Sequence, residues 1–201
     1  MDIKIKKRNG RLEDFDASKI NASAERACGN IPNVSPSEIV LDGQLQLFDK
    51  ITSLEIDQAL ILSAREKIEK EPNYSYAAAR LLLNTLFKEV FREGVDSDAF
   101  ELQYRKSFIQ GIKSLVAGGR LDSRLLEFDL KSLSDALKIK RDKKFKYLGI
   151  QILYDRYLIR QDDKVMEAPQ CFWMRVAMGL AINEKDKNEW AIKFSNLLSK
   201  F

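Results

Sequence analysis

Residues 3–20 read IKIKKRNGRLEDFDASKI. Ile3 and Ile5 alternate with Lys4 and Lys6, the period of a strand with one buried face. Asn9-Gly10 follows. Both residue types tolerate positive φ, so the pair predicts a two-residue hairpin loop. Leu12 and Phe15 continue the return strand, and Asp16 or Ser18 offers an N-cap for a helix over roughly 18–28. Gly29 can end that helix in the left-handed conformation. The same stretch poses the functional question, because Lys6, Lys7, Arg8 and Arg11 crowd the turn and Lys19 opens the helix. Lysines on a strand edge discourage aggregation, and charge alone favours such a solvated hairpin. A triphosphate, however, needs cationic donors converging from more than one element, with Arg as a planar fork and Lys as a compact point charge.

Outward from the hairpin the pattern turns helical. Ser35 and Glu38 predict a capping box with Pro36 at the first helical position. Thr52 and Glu55 predict a second box, followed by Ile56, Leu60 and Ala64 at helical spacing. NYSYAAARLLLNTLFKEVF (73–91) reads as a strongly buried fourth helix that Gly94 closes. The short polar segment GVDSDA (94–99) is the candidate boundary. Beyond it a helix is expected over roughly 98–117, broken by Gly118-Gly119, then short pieces near 122–137. A helix near 144–159 follows KIKRDKKFKY, a polar turn RQDDK leads into EAPQCFWMRVAMGLAI, and a last helix covers roughly 185–200. The expected fold is mainly α: an N-terminal β-hairpin capping a four-helix bundle (1–94), then a second all-helical domain (95–201). The apolar helical pattern runs up to Phe201, as in a chain that continues.

Composition narrows the function. The chain has 201 residues, 45% of them hydrophobic, which suffices for a proper core. Lys and Arg number 34 against 30 Asp and Glu, a net charge of +4. That is mild and does not call for nucleic acid. Cys28 and Cys171 are far apart and make no zinc or CxxC spacing, which fits a reduced, cytoplasmic setting. No His is present, so the commonest general base and metal ligand are missing and no metal site is expected. No signal peptide is evident, and the longest apolar runs are too short to cross a bilayer. No nucleophile–base pair and no Walker loop accompany the cations, so an effector site fits better than a catalytic one.

The order of parts carries a resemblance. KKRNGRLEDFDASKI, DKITSLEI and NYSYAAARLLLNTLFKEVF, over about residues 1–92, resemble the ATP-cone, the allosteric nucleotide-binding module of many ribonucleotide reductases. The resemblance implies that Lys7 and Arg8 face the phosphates, that Glu13 meets the ribose, and that Asp16 meets the adenine edge or Lys19. Lys19 would also reach phosphate, Ser53 would place a hydroxyl near the nucleotide, and Lys88 would close the phosphate site. Ile5, Phe15 and Ile20 would flank the base. One departure is Asp57, which stands where some members carry a His; an acid there repels phosphate unless a metal ion bridges the two. The implied effectors are ATP and dATP, with Mg2+ accompanying them.

The second half resembles the N-terminal helical domain of the ribonucleotide reductase large subunit, on KFKYLGIQILYDRYLIR and EAPQCFWMRVAMGLAI. Tyr154, Tyr157, Phe172, Trp173 and Met174 are expected as packing residues. Arg156 and Arg175 are expected in structural ion pairs, and Cys171 as an inert small hydrophobe. The family implies a parent enzyme that reduces ribonucleotides by thiyl-radical chemistry in a barrel domain not contained in these residues, so this chain alone would be inactive. Implied partners are the remainder of the large subunit, a radical-generating small subunit, and further copies in an effector-dependent homo-oligomer. The alternatives are a freestanding nucleotide-sensing regulator and one half of a naturally split reductase.

Overall fold

A computed structural model of the chain describes residues 4–8, 10–44, 48–91, 95 and 98–200. Strands β1 (Lys4–Lys6) and β2 (Leu12–Asp14) open the chain. Helices α1 (Ala17–Cys28), α2 (Pro36–Gln44), α3 (Ser53–Glu66), α4 (Tyr74–Phe91), α5 (Phe100–Ala117), α6 (Leu130–Ala136) and α7 (Tyr147–Ile152) follow. Strands β3 (Arg160–Gln161) and β4 (Lys164–Val165) precede α8 (Pro169–Leu180) and α9 (Lys187–Leu198). The architecture is mainly α. The residues form two compact units, Met1–Thr85 with Phe145–Ile152, and Leu86–Lys144 with Leu153–Phe201. No helix among the described residues is long and apolar enough to cross a membrane.

In the first unit, β1 and β2 pair antiparallel, with Ile5 opposite Glu13. The loop is one residue longer than expected. The Lys7 amide donates to the Arg11 carbonyl and the Gly10 amide to the Lys7 carbonyl, so residues 8–10 form the connection. Gly10 sits at φ 84°, the left-handed position that closes a three-residue loop. Asn9 lies outside the described residues. Asp16 caps α1 by accepting from the Ser18 amide at 2.9 Å and the Ser18 hydroxyl at 2.6 Å. Gly29 ends α1 at φ 42°, ψ −128°, positive in φ but outside the left-handed helical region. A Cβ there would stand 3.0 Å from an Arg80 guanidinium nitrogen, which donates to the carbonyls of Ala27 and Cys28. Arg80 thus supplies from α4 the cation that the C-terminus of α1 favours.

Helix α2 starts differently from the expected box. The Ser35 hydroxyl does accept from the Glu38 amide, at 3.4 Å. The Glu38 carboxylate instead accepts from the Tyr74 hydroxyl, and that hydroxyl accepts from the Ser35 amide. Tyr74 reaches both partners at once, which the Glu38 side chain alone does not. At α3 the expected box is complete between Thr52 and Glu55. Ile39, Leu60, Ala64 and Ala77 to Ala79 fill the bundle core. Gly94, the expected end of α4, lies outside the described residues.

The second unit packs α8 on α9, and Met174, Ala177 and Met178 of α8 and Ala191 and Ser195 of α9 are buried. Phe87 and Phe91 stack on one another, and both meet Phe100 and Tyr104 edge-to-face in one aromatic cluster. This unit is not all-helical, because β3 and β4 form a second hairpin over the expected polar turn. Its tip is Asp162-Asp163, at φ 50° and 60°. The expected helix near 144–159 is interrupted: α7 ends at Ile152 and a π-helical turn covers Leu153–Tyr157. Tyr157 is 57% exposed and is not a core residue, whereas Phe172 and Met174 are buried. Arg175 makes a two-pronged ion pair with the buried Glu167, both contacts at 2.8 Å, as the sequence led us to expect.

Candidate functional site: the hairpin and the start of α3

The hairpin has two unlike faces. Lys4, Lys6, Leu12 and Asp14 are exposed, while Ile5, Lys7, Glu13 and Phe15 are half-buried. Strand alternation accounts for this, since residues two apart share a face. Four of the residues singled out by sequence therefore share the inner face. Strand β1 is not an edge. Its Lys6 amide donates to the Ile51 carbonyl, the Lys50 amide donates to the Lys4 carbonyl, and Lys6 bridges Thr52 in parallel. The Lys4 amide also donates to an Asp49 carboxylate oxygen at 3.0 Å. Residues 49–52 thus act as a third strand that leads straight into α3. This ladder was not legible in the sequence, because the pairing spans about 45 residues and its backbone bonds leave no residue pattern.

The ladder sets the loop beside the first turns of α3. An Arg8 guanidinium nitrogen lies 3.4 Å from the Asp57 carboxylate, and Asp57 is only 9% exposed. On the inner face, the Glu13 carboxylate stands 3.7 Å from the ammonium groups of both Lys7 and Lys19. Ser53, half-buried, is the first residue of α3. Asp16 is engaged as the cap of α1, and its bonds to Ser18 hold its carboxyl below the usual range. Ile20 is buried at 6% exposure, while Ile5 and Phe15 keep part of their surface open. Ile5, Lys7, Arg8, Glu13, Phe15, Asp16, Lys19, Ile20, Ser53 and Asp57 all belong to the first unit, and ion pairs join Lys7 and Lys19 to Glu13 and Arg8 to Asp57. Lys88, in the last turn of α4, belongs to the second unit.

The electrostatics suit an exchangeable anion. Three cations face two carboxylates, and both Glu13 contacts are long and half-exposed. Such pairs contribute about 0–1 kcal/mol each. A multiply charged anion can displace them, because charge-assisted contacts to phosphate are stronger than solvent-screened surface pairs. Among the described residues no group of three or more Cys, Asp or Glu is placed to hold a metal ion.

Two family models match the chain. Residues 3–89 match the ATP cone domain, and residues 143–201 match the all-alpha domain of ribonucleotide reductase. The ribonucleoside-diphosphate reductase subunit alpha of Chlamydia trachomatis is 39% identical over 204 residues, covering 99% of this chain and 19% of that protein. The subunit alpha of Helicobacter pylori is likewise 39% identical, covering 99% of the chain and 24% of its own length. The ribonucleoside-diphosphate reductase 1 subunit alpha of Salmonella typhimurium is 27% identical over 98% of the chain and 26% of its own length. The chain thus spans about a fifth to a quarter of the relatives it matches. With an ATP cone followed by the reductase all-alpha domain, the chain belongs to the ribonucleotide reductase alpha-subunit family and corresponds to the N-terminal part of those proteins.

Proposed function

We propose that this chain is the regulatory N-terminal part of a ribonucleoside-diphosphate reductase large subunit, with an ATP-cone over residues 1–94 and the helical domain over 95–201. The ATP-cone binds ATP and dATP between the inner face of the hairpin, α1 and the start of α3. The convergence of Lys7, Arg8 and Lys19 from two elements onto Glu13 and Asp57 carries this reading. Lys7, Arg8 and Lys19 exchange their carboxylate partners for the triphosphate. Glu13, released from the lysines, accepts from ribose hydroxyls, and Ser53 adds a hydroxyl at the helix start. Ile5 and Phe15 cover one side of the base, over Ile20. Asp16 keeps α1 capped beside the adenine edge and Lys19. Mg2+ on the triphosphate would offset the Asp57 charge.

The parent enzyme reduces ribonucleoside diphosphates, with its radical supplied by a separate small subunit. Effector binding in the cone acts on overall activity through homo-oligomer assembly, in the cytoplasm. The side chains of the site are cations, carboxylates and apolar groups suited to gripping a nucleotide, which supports sensing over hydrolysis. Calorimetric titration of the chain with ATP and with dATP tests the site. Micromolar-range binding is expected, together with a raised Tm, because a ligand that binds only the native state stabilises it. Lys7→Glu and Lys19→Glu should each abolish the heat signal with the unliganded Tm nearly unchanged, and Lys19→Ala should weaken it. Unaltered titrations in both reversal variants would place the nucleotide elsewhere.

A further inference from the structure

Residues 138–144 read KIKRDKK. Ile139–Lys144 forms a 3-10 helix, in which residues three apart share a face. Ile139 and Asp142 are the buried pair, at 7% and 4% exposure. Asp142 is engaged inside, where it accepts from the Tyr104 hydroxyl and the Gln170 side-chain amide. Arg141 turns to α9 and donates to the Asn196 carbonyl and the Ser199 hydroxyl. Lys138, Lys140, Lys143 and Lys144 are left exposed, and none forms an ion pair with a described residue. Five cations less one carboxylate give this segment a formal charge of +4, equal to the +4 of the whole chain. The remainder sums to zero. Elsewhere, Lys7, Lys19, Lys67, Lys131, Lys187 and Lys193 each have a carboxylate within reach.

We propose that the exposed lysines of residues 138–144 are a docking surface for a short acidic segment of a partner polypeptide. Like charges crowded on one turn repel one another, and a complementary strand of carboxylates removes that cost on binding. A 3-10 rise of about 2.0 Å per residue gives the helix a length of about 12 Å. That matches roughly four residues of extended chain at about 3.3 Å each. The chemistry favours carboxylates over nucleic acid. The four exposed cations are flexible ammonium groups, the one guanidinium is turned inward, and the neighbouring Phe145 is buried rather than presented for base stacking. The surface is independent of the hairpin site.

Fluorescence anisotropy on the full chain tests it. The probe is a labelled six-residue Asp/Glu peptide, with an Asn/Gln peptide of the same length and a single-stranded oligonucleotide of equal charge as comparators. The acidic peptide is expected to bind in about 50 mM salt and to weaken about tenfold near 300 mM, as exposed charges are screened. The Lys140→Glu/Lys143→Glu variant should lose at least about tenfold in affinity, and Lys113→Glu on α5 less than about twofold. Should the double reversal fail to fold, Lys140→Gln/Lys143→Gln is expected to lose about fivefold with an unchanged Tm. Equal peptide affinity in the charge-removal variant and the parent overturns the proposal. So does tighter binding of the oligonucleotide through the same lysines.

Discussion

Asp142 is a carboxyl held among neutral groups. One oxygen accepts from the Tyr104 hydroxyl at 2.6 Å and the other from the Gln170 amide at 2.8 Å, while the Gln170 backbone N–H donates to the Tyr104 oxygen. Those bonds favour the anion, but burial outweighs them and pushes the carboxyl up to about 7. A carboxyl raised in the folded state stabilises the fold fully below its unfolded pKa, near 3.8, and loses that contribution as pH rises through about 7. Three units at about 1.4 kcal/mol each put the loss on the order of 4 kcal/mol. Denaturation at pH 5 and pH 8 should therefore show a steeper decline for the parent chain than for Asp142→Asn. Parallel declines would mean that Asp142 does not titrate in this range. The residue illustrates what sequence hides. Lys7, Arg8, Glu13 and Lys19 stood out because they sit within one hairpin and the first turn of the next helix. Asp142 lies in a basic run and reads as a solvated acid. Its burial shows only in a three-residue period, Ile139, Asp142, Phe145, that α-helical spacing does not sample.

At the scale of elements, local signals held where a cap or a turn closes on itself and failed where a distant side chain intervenes. The Thr52–Glu55 box lies within four residues and formed as read. The start of α2 was recruited by Tyr74, thirty-nine residues from Ser35, whose hydroxyl joins the Ser35 amide to the Glu38 carboxylate. Tyr74→Phe removes one neutral and one charge-assisted bond and leaves the Ser35 amide without that acceptor. Hydrogen bonds to charged groups contribute about 1.5–3 kcal/mol, so a loss of about 2 kcal/mol is expected. A lower urea midpoint at constant slope would register it, and an unmoved midpoint would show that water replaces the hydroxyl at no cost. The hairpins give the same lesson. Asn-Gly announces β1–β2 because Gly suits positive φ, yet that signal is shared by two- and three-residue loops, so it does not fix the loop length. The β3–β4 turn uses Asp162-Asp163 at positive φ without Gly, between strands of two residues each, too short to show alternation.

On the scale of the whole molecule, the course of the chain does not follow the order of its units. The polar segment 94–99 predicts a cone ending near residue 94, and the family match to it ends at 89. Yet residues Phe145–Ile152 belong to the first unit, which otherwise ends at Thr85. The Tyr147 amide donates to the Ser75 hydroxyl at 3.1 Å, the Lys146 ammonium stands 5.8 Å from the Tyr76 ring centre, and Ile150 is fully buried. Sequence periodicity could not reveal this, because the contacts close over about seventy residues and α7 is only a turn and a half long. A fragment of residues 1–94 should therefore lack part of its own packing. Burying one Ile side chain contributes about 1.5–3 kcal/mol. Linking residues 145–152 back onto the fragment through a flexible Gly/Ser tether should recover about 1–2 kcal/mol of that after the cost of ordering the segment. The measurement is a urea denaturation of the fragment with and without the appended helix. An Ile150→Ala version of the tethered fragment distinguishes packing from a nonspecific tether effect, since it should fall back toward the bare fragment. Coincident midpoints for all three would mean that the first unit is complete without α7.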